Sequence, residues 1–159
     1  MMIITTLGAI DANSYADIVT ADAFHKLRNN QAWADAAESA KTAALVRATD
    51  YLDANYIYVS VPATEFQALE HPRISNPDIL DARIVKATIM LAEKFLTDDP
   101  LATPSPTVIS TTEKLEGVGE SSTTYAAPVP VSDPYPQVTR TLGKMAVRRG
   151  GGFSNIRMR

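Results

Sequence analysis

The stretch Asn76-Pro77-Asp78-Ile79-Leu80-Asp81-Ala82-Arg83-Ile84-Val85-Lys86-Ala87-Thr88-Ile89-Met90-Leu91-Ala92-Glu93-Lys94-Phe95-Leu96-Thr97 decides how the chain folds. It predicts a helix over 77–97. Asn76 is a good N-cap, Pro77 sits where its missing N–H costs nothing, and Asp78 and Asp81 suit the positive end of the helix dipole. Leu80, Ile84, Ala87, Leu91 and Phe95 form one apolar stripe at helical spacing. Val85, Ile89, Ala92 and Leu96 form a second beside it. A surface helix of a small monomer needs one stripe, so two place this helix at the centre of the core or between the core and a neighbouring subunit.

Upstream, the segment from Ala36 to about Tyr56 contains neither Gly nor Pro. Asp35 followed by Glu38 reads as a capping box opening a helix there, with Leu45, Ala48, Leu52 and Tyr56 on one face. A shorter helix is expected over 20–29, capped by Thr20, with Ala23, Phe24 and Leu27 inward. Asp11 to Tyr15 is turn-forming, and Ile3-Ile4-Thr5-Thr6 reads as a short strand. Residues 57–76 are punctuated by proline and read as irregular, pinned to the core by Phe66 and Leu69.

Downstream, seven of the ten prolines lie between Pro100 and Pro136. Thr107–Leu115 and Glu120–Ala126 are rich in Thr, Val, Ile and Tyr around Glu116-Gly117-Val118-Gly119, which predicts a β-hairpin at about 107–126. A two-stranded hairpin is marginal alone in water, so it wants helices or another chain to pack on. A last helix is expected over 134–148, with Val138, Leu142 and Met145 inward and Arg140, Lys144 and Arg148 recurring every four residues on another face. Gly150, Gly151 and Gly152 then form a hinge before the tail Phe153-Ser154-Asn155-Ile156-Arg157-Met158-Arg159. The fold class is mainly α: a small helical bundle with a β-hairpin and an extended C-terminal tail. The domain covers 1–149 and the docking tail 150–159.

Composition narrows the function. The chain has 159 residues, 45% hydrophobic and 21% charged, which suits one globular domain. It has no Cys, so a disulfide framework and thiolate chemistry are excluded. No apolar run approaches the roughly 20 residues of a membrane helix, and Met1 to Ile10 lacks the form of a signal peptide. The expectation is a soluble protein with no membrane partner. The formal net charge of −3 hides an asymmetry. The last twenty residues hold Arg140, Lys144, Arg148, Arg149, Arg157 and Arg159 and no acid, which leaves nine bases against eighteen acids in 1–139. A basic end of this kind docks on an acidic partner or on nucleic acid.

The catalytic inventory is poor. His25 and His71 are far apart in sequence and read as surface or capping residues. No Gly-x-Ser-x-Gly elbow and no His-Glu-x-x-His motif is present. Asp50/Asp53 read as a solvated helix face and Asp98/Asp99 as a helix terminus, not a metal site. Gly117-Val118-Gly119 lacks the rest of a nucleotide-loop pattern and reads as a turn. Trp33 reads as a core anchor, and Tyr51, Tyr56 and Tyr58 as packing more than base-stacking residues. The expectation is no enzyme, no cofactor and no metal.

Several stretches carry a resemblance: Ala12-Asn13-Ser14-Tyr15, Trp33, Ala43-Ala44-Leu45-Val46-Arg47-Ala48-Thr49-Asp50-Tyr51-Leu52-Asp53, His71-Pro72-Arg73, Glu113-Lys114-Leu115 before Gly117, and Tyr135-Pro136. Together with the triple glycine and the Arg-terminated tail, they resemble a family of tailed-phage head–tail connector, or adaptor, proteins. Its members are often labelled DnaT-like single-stranded-DNA-binding proteins. One departure is His71, where the family pattern has an aromatic residue before Pro-Arg. The resemblance implies an α-helical adaptor, without enzyme activity or cofactor, that assembles as a twelvefold ring beneath the portal in the virion neck. Its partners would be its own copies, the portal and a downstream tail or stopper protein. Genomic DNA would pass transiently through a lumen lined by the acidic body.

On this reading the tail is the docking element. Gly150, Gly151 and Gly152 free the backbone, Phe153, Ile156 and Met158 fill portal pockets, and Arg157 and Arg159 pair with portal acids. The alternative is a single-stranded-DNA-binding protein that uses the Arg140, Lys144, Arg148 and Arg149 face together with the tail.

Overall fold

A computed structural model of the protein describes residues 2–98, 108–112, 122–125 and 133–149. The chain divides into two units, Met1–Pro100 with Tyr135–Arg159, and Leu101–Pro134. The architecture is mainly α with a two-stranded antiparallel hairpin, as the periodicities predict.

In the first unit, α1 spans Ile18–Lys26. Its cap is Asp17, whose Oδ1 accepts from the Thr20 N–H at 2.6 Å. The helix therefore starts before Thr20, because an ionised carboxylate outcompetes a hydroxyl three residues later. A second, five-residue helix, α2 (Gln31–Asp35), is capped by Asn30. It exists to bury Trp33, which is 1% exposed. Asp35 closes α2 and accepts from the Gln31 amide at 2.7 Å, so the expected capping box with Glu38 does not form. The long helix α3 runs Glu38–Asn55 from an uncapped Ala37.

Helix α4 spans Ala82–Lys94 and is capped by Asp81, not Asn76. Residues 73–79 are spent on a turn, in which the Asn76 N–H donates to Arg73 O at 2.9 Å, so the helix starts at the second of two good start signals. Both stripes of α4 are consumed inside this unit. Ile84, Ala87, Leu91 and Phe95 of the first, and Ile89 and Ala92 of the second, are all buried, and Val85 and Leu96 pack against the same core. Of the two placements that the double stripe allows, the helix takes the centre of the core, and neither stripe is left for a neighbouring subunit. Helix α4 packs on α3, whose Ala44, Leu45, Ala48 and Leu52 are fully buried; the alanines allow close approach. Thr49 and Thr88, also fully buried, satisfy their hydroxyls on Leu45 O (3.1 Å) and Ile84 O (2.9 Å) one turn back.

After α3, Tyr56–Tyr58 forms strand β1. The expected last helix is broken. Helix α5 spans Pro136–Leu142, a 3₁₀ turn spans Gly143–Met145, and a strand follows over Ala146–Arg148. Gly143 ends α5 at φ +56, a left-handed conformation closed to most residues. That turn lets the final strand pair antiparallel with β1, with Ile57 opposite Val147. Nor do Ile3–Thr6 form a strand; Asn13 folds that segment back by accepting from the Ile4 N–H at 2.8 Å.

In the second unit, β2 (Val108–Thr112) pairs antiparallel with β3 (Ser122–Tyr125), with an irregularity between Val108 and Ser110. In chain order the strand Ala146–Arg148 is β4. The turn around Gly117 and the tail 150–159 lie outside the described residues. Among the described residues no helix is long and apolar enough to cross a membrane.

Candidate nucleic-acid interface

Three of the sequence stretches that carry the resemblance converge on one polar node. The Tyr15 hydroxyl donates to the Asp53 carboxylate, at 2.6 and 2.8 Å from its two oxygens, and accepts from the His71 N–H at 3.2 Å. The Glu70 N–H donates to the same carboxylate at 3.1 Å. Burial pushes the Asp53 carboxyl up to about 6, against the pull of these hydrogen bonds. Burial, and then the Arg73 charge, push the His71 imidazole down to about 4. Tyr15 and Tyr58 both pack edge-on against His71. Asp53 is thus a half-buried hydrogen-bond acceptor more than part of a solvated acidic face; Asp50, one turn earlier, is exposed.

Next to this node Arg73, 8% exposed, holds a loop together by donating to the carbonyls of Tyr58, Val59, Ser60 and Glu70 and to the Glu70 carboxylate. The two histidines read as surface or capping residues are both buried. His25 stacks on Trp33 with ring centroids 4.5 Å apart, and its Nε2 meets Ile89 O at 3.3 Å. Of the residues expected to pin the 57–76 loop, Leu69 packs on the core, but Phe66 is 71% exposed. Tyr56 and Tyr58 are buried, as packing residues.

The basic end has a different geometry from a single helical face. Arg140 lies on α5, Lys144 in the 3₁₀ turn, Arg148 on β4 and Arg149 just beyond it. Arg140, Lys144 and Arg149 are exposed, and Arg148 is half-buried. Arg149 is anchored by its backbone N–H to Asn55 O at 2.7 Å, which holds the end of β4 against α3. Residues 134–149 contain no acid. The 3₁₀ turn also borders a cavity of about 610 Å³, lined among others by Val59, His71, Arg73, Ile79, Arg83 and Lys144. Sequence reading missed this cavity. Its one signal was the alternation of Tyr56 and Tyr58 with Ile57 and Val59, a period of two that belongs to a half-buried strand. Among the described residues no group of three or more His, Asp and Glu converges to hold a metal. The proposed docking residues Gly150, Gly151, Gly152, Phe153, Ile156, Arg157, Met158 and Arg159 lie outside the described residues.

A family model described as "Putative DnaT-like ssDNA binding protein" matches residues 1–159. The chain belongs to this family. No curated protein and no solved structure matches it. The match corrects the reading as a head–tail connector: the family description names single-stranded DNA and nothing of a portal, a stopper or a dodecameric ring. The packing removes one physical motive for the ring as well, since the second stripe of α4 is buried within its own unit. The single-stranded-DNA alternative is the better supported of the two.

Proposed function

We propose that the protein binds single-stranded DNA without catalysis, through the cations of its C-terminal segment. The observation that carries this reading is the family match over residues 1–159. The charge distribution supports it. Arg140, Lys144 and Arg149 reach solvent from a segment with no acid, while residues 1–139 carry eighteen acids against nine bases. An acidic body repels phosphate, so the phosphate contacts gather at the cationic end.

Binding of this kind releases counterions. With three or four phosphate contacts on a single strand, affinity falls roughly 20–50-fold between about 50 and 200 mM salt. Fluorescence anisotropy of a labelled oligothymidylate at these two salt concentrations tests this directly. The same measurement with a duplex of equal length should give weaker binding. If the full-length protein fails to bind the single strand at the lower salt, or binds with no salt dependence, the proposal is wrong.

A further inference from the structure

Beside the node formed by Tyr15, Asp53 and His71, the cavity bordered by the 3₁₀ turn combines three features. Its walls carry exposed aliphatic side chains, Val59 at 64% and Ile79 at 67%. Three cations line it, Arg73, Arg83 and Lys144, with one acid, Asp81; Arg73 is ion-paired with Glu70 and spent on carbonyls, so it lends the cavity no free charge. Asp81 is already engaged: it caps α4 and chelates the Arg83 guanidinium at 2.7 and 3.0 Å. Among the described residues, Lys144 has no carboxylate partner. The third feature is an orphan: His71 is 6% exposed, lines the same cavity, and its Nε2 has no hydrogen-bond partner. Buried polar atoms are rarely left so, which marks this wall of the cavity as one whose polar groups the chain itself does not satisfy.

We infer that this cavity seats one unstacked nucleotide of the bound strand. The inference rests on the single-stranded-DNA reading and names its binding site. A volume of about 610 Å³ falls within the range of small-molecule sites and suits a nucleotide. The base lies against Val59 and Ile79, with the Asn76 amide and Ser75 hydroxyl, also in the lining, at its polar edge. The phosphate takes Lys144 at the rim. Arg83 keeps a reduced share because Asp81 neutralises it. A paired base enters only after unpairing and unstacking, a cost that a single strand does not pay in full, so the cavity itself favours single strands over duplex. The walls are aliphatic, so the seat supplies apolar contact without aromatic stacking. Phe66, the most exposed aromatic side chain among the described residues, does not line it.

The two kinds of contact separate experimentally. Ile79→Ser removes an apolar wall and no charge, so affinity for oligothymidylate falls about tenfold with the salt slope unchanged. Lys144→Gln removes a phosphate contact, so affinity falls and the slope of log affinity against log salt shrinks by about 0.7. Val19→Ser, at an exposed apolar site on α1 away from the cavity, leaves binding unchanged. All three positions are exposed, and circular dichroism checks that the variants fold. Isoleucine-methyl NMR adds a direct readout, because the Ile79 signal should shift on titration with the oligonucleotide. If the wild type binds but Ile79→Ser and Lys144→Gln bind as tightly and the Ile79 methyl stays still, the seat is wrong while the DNA reading stands. If the wild type does not bind, both fall together. If Ile79→Ser abolishes a dimer seen in sedimentation and leaves DNA affinity intact, the face is a contact between copies and the inference is overturned.

Discussion

Arg73→Met is expected to lower the unfolding free energy by about 3–5 kcal/mol, the range for removing one partner of a buried charged network. Arg73 is 8% exposed and its guanidinium makes five hydrogen bonds, to Val59 O (3.3 Å), Tyr58 O (3.1 Å), Ser60 O (2.8 Å), Glu70 O (2.8 Å) and the Glu70 carboxylate (2.8 Å). Methionine keeps the stem's volume but leaves four carbonyls without this donor. Ser60 sharpens the effect. It sits at φ +71, a conformation that costs a non-glycine residue energy and persists only where the surroundings enforce it. Arg73 is what holds its carbonyl. Arg73→Lys should recover less than half of the loss, because an ammonium lacks the planar fork that reaches carbonyls on both sides. Urea denaturation followed by circular dichroism measures both variants. A loss of under about 1 kcal/mol for Arg73→Met would show that the loop is held by other means.

Asp53→Asn is expected to change how stability depends on pH. Burial raises the folded-state pKa of Asp53 to about 6, so the native protein holds this proton more tightly than the unfolded chain does. The resulting stabilisation is fully present below the unfolded value near 4 and is lost as pH rises through about 6. His71 runs the other way. Its folded pKa is depressed to about 4, so its contribution is present above the unfolded value near 6.5 and is lost as pH falls through about 4. His25, also depressed by burial, adds to that loss. In the wild type Asp53 therefore offsets the histidines over the same window. Removing its titration exposes them, and the variant should lose stability relative to wild type by about 2–3 kcal/mol as pH is lowered from about 7 to 4. The Asn side-chain oxygen still accepts from Tyr15, so the fold is retained near neutral pH. Parallel stability–pH curves for the two proteins would refute the compensation.

The helices were legible wherever a local pattern repeats. The two stripes on 80–96 and the Leu45, Ala48, Leu52 face are 3.6-residue periodicities, and the structure buries them as that spacing requires. Boundaries were less legible, for a physical reason. Asn76-Pro77-Asp78 and Asp81 are both sound helix starts, and local energetics do not separate them. The choice falls to Asp81 because backbone hydrogen bonds from the Asn76 N–H to Arg73 O and from the Ile74 N–H to Val61 O hold 73–79 in a turn, and the Arg73 side chain is held in turn by carbonyls as far back as Tyr58. Gly143 was visible as a weak point in the last helix. That the chain turns there into a strand depends on β1, some ninety residues earlier, offering its edge.

The candidate site shows the same division. Charge is additive along a chain, so the acidic body and basic end are properties of the sequence alone, as are the mainly α class and the hairpin at 108–125. The matched family, too, is a property of the sequence over residues 1–159. Tertiary structure decided what surrounds each side chain. It turned His25 and His71 from surface or capping residues into buried ones, tied the half-buried Asp53 to Tyr15, and placed Lys144 beside Val59 and Ile79 at one cavity. None of these neighbours is within helical or strand spacing of the other. They meet only because the 3₁₀ turn after Gly143 carries Lys144 back to the strand that follows α3, and desolvation, which sets the pKa values and the apolar walls alike, exists only once that packing is complete.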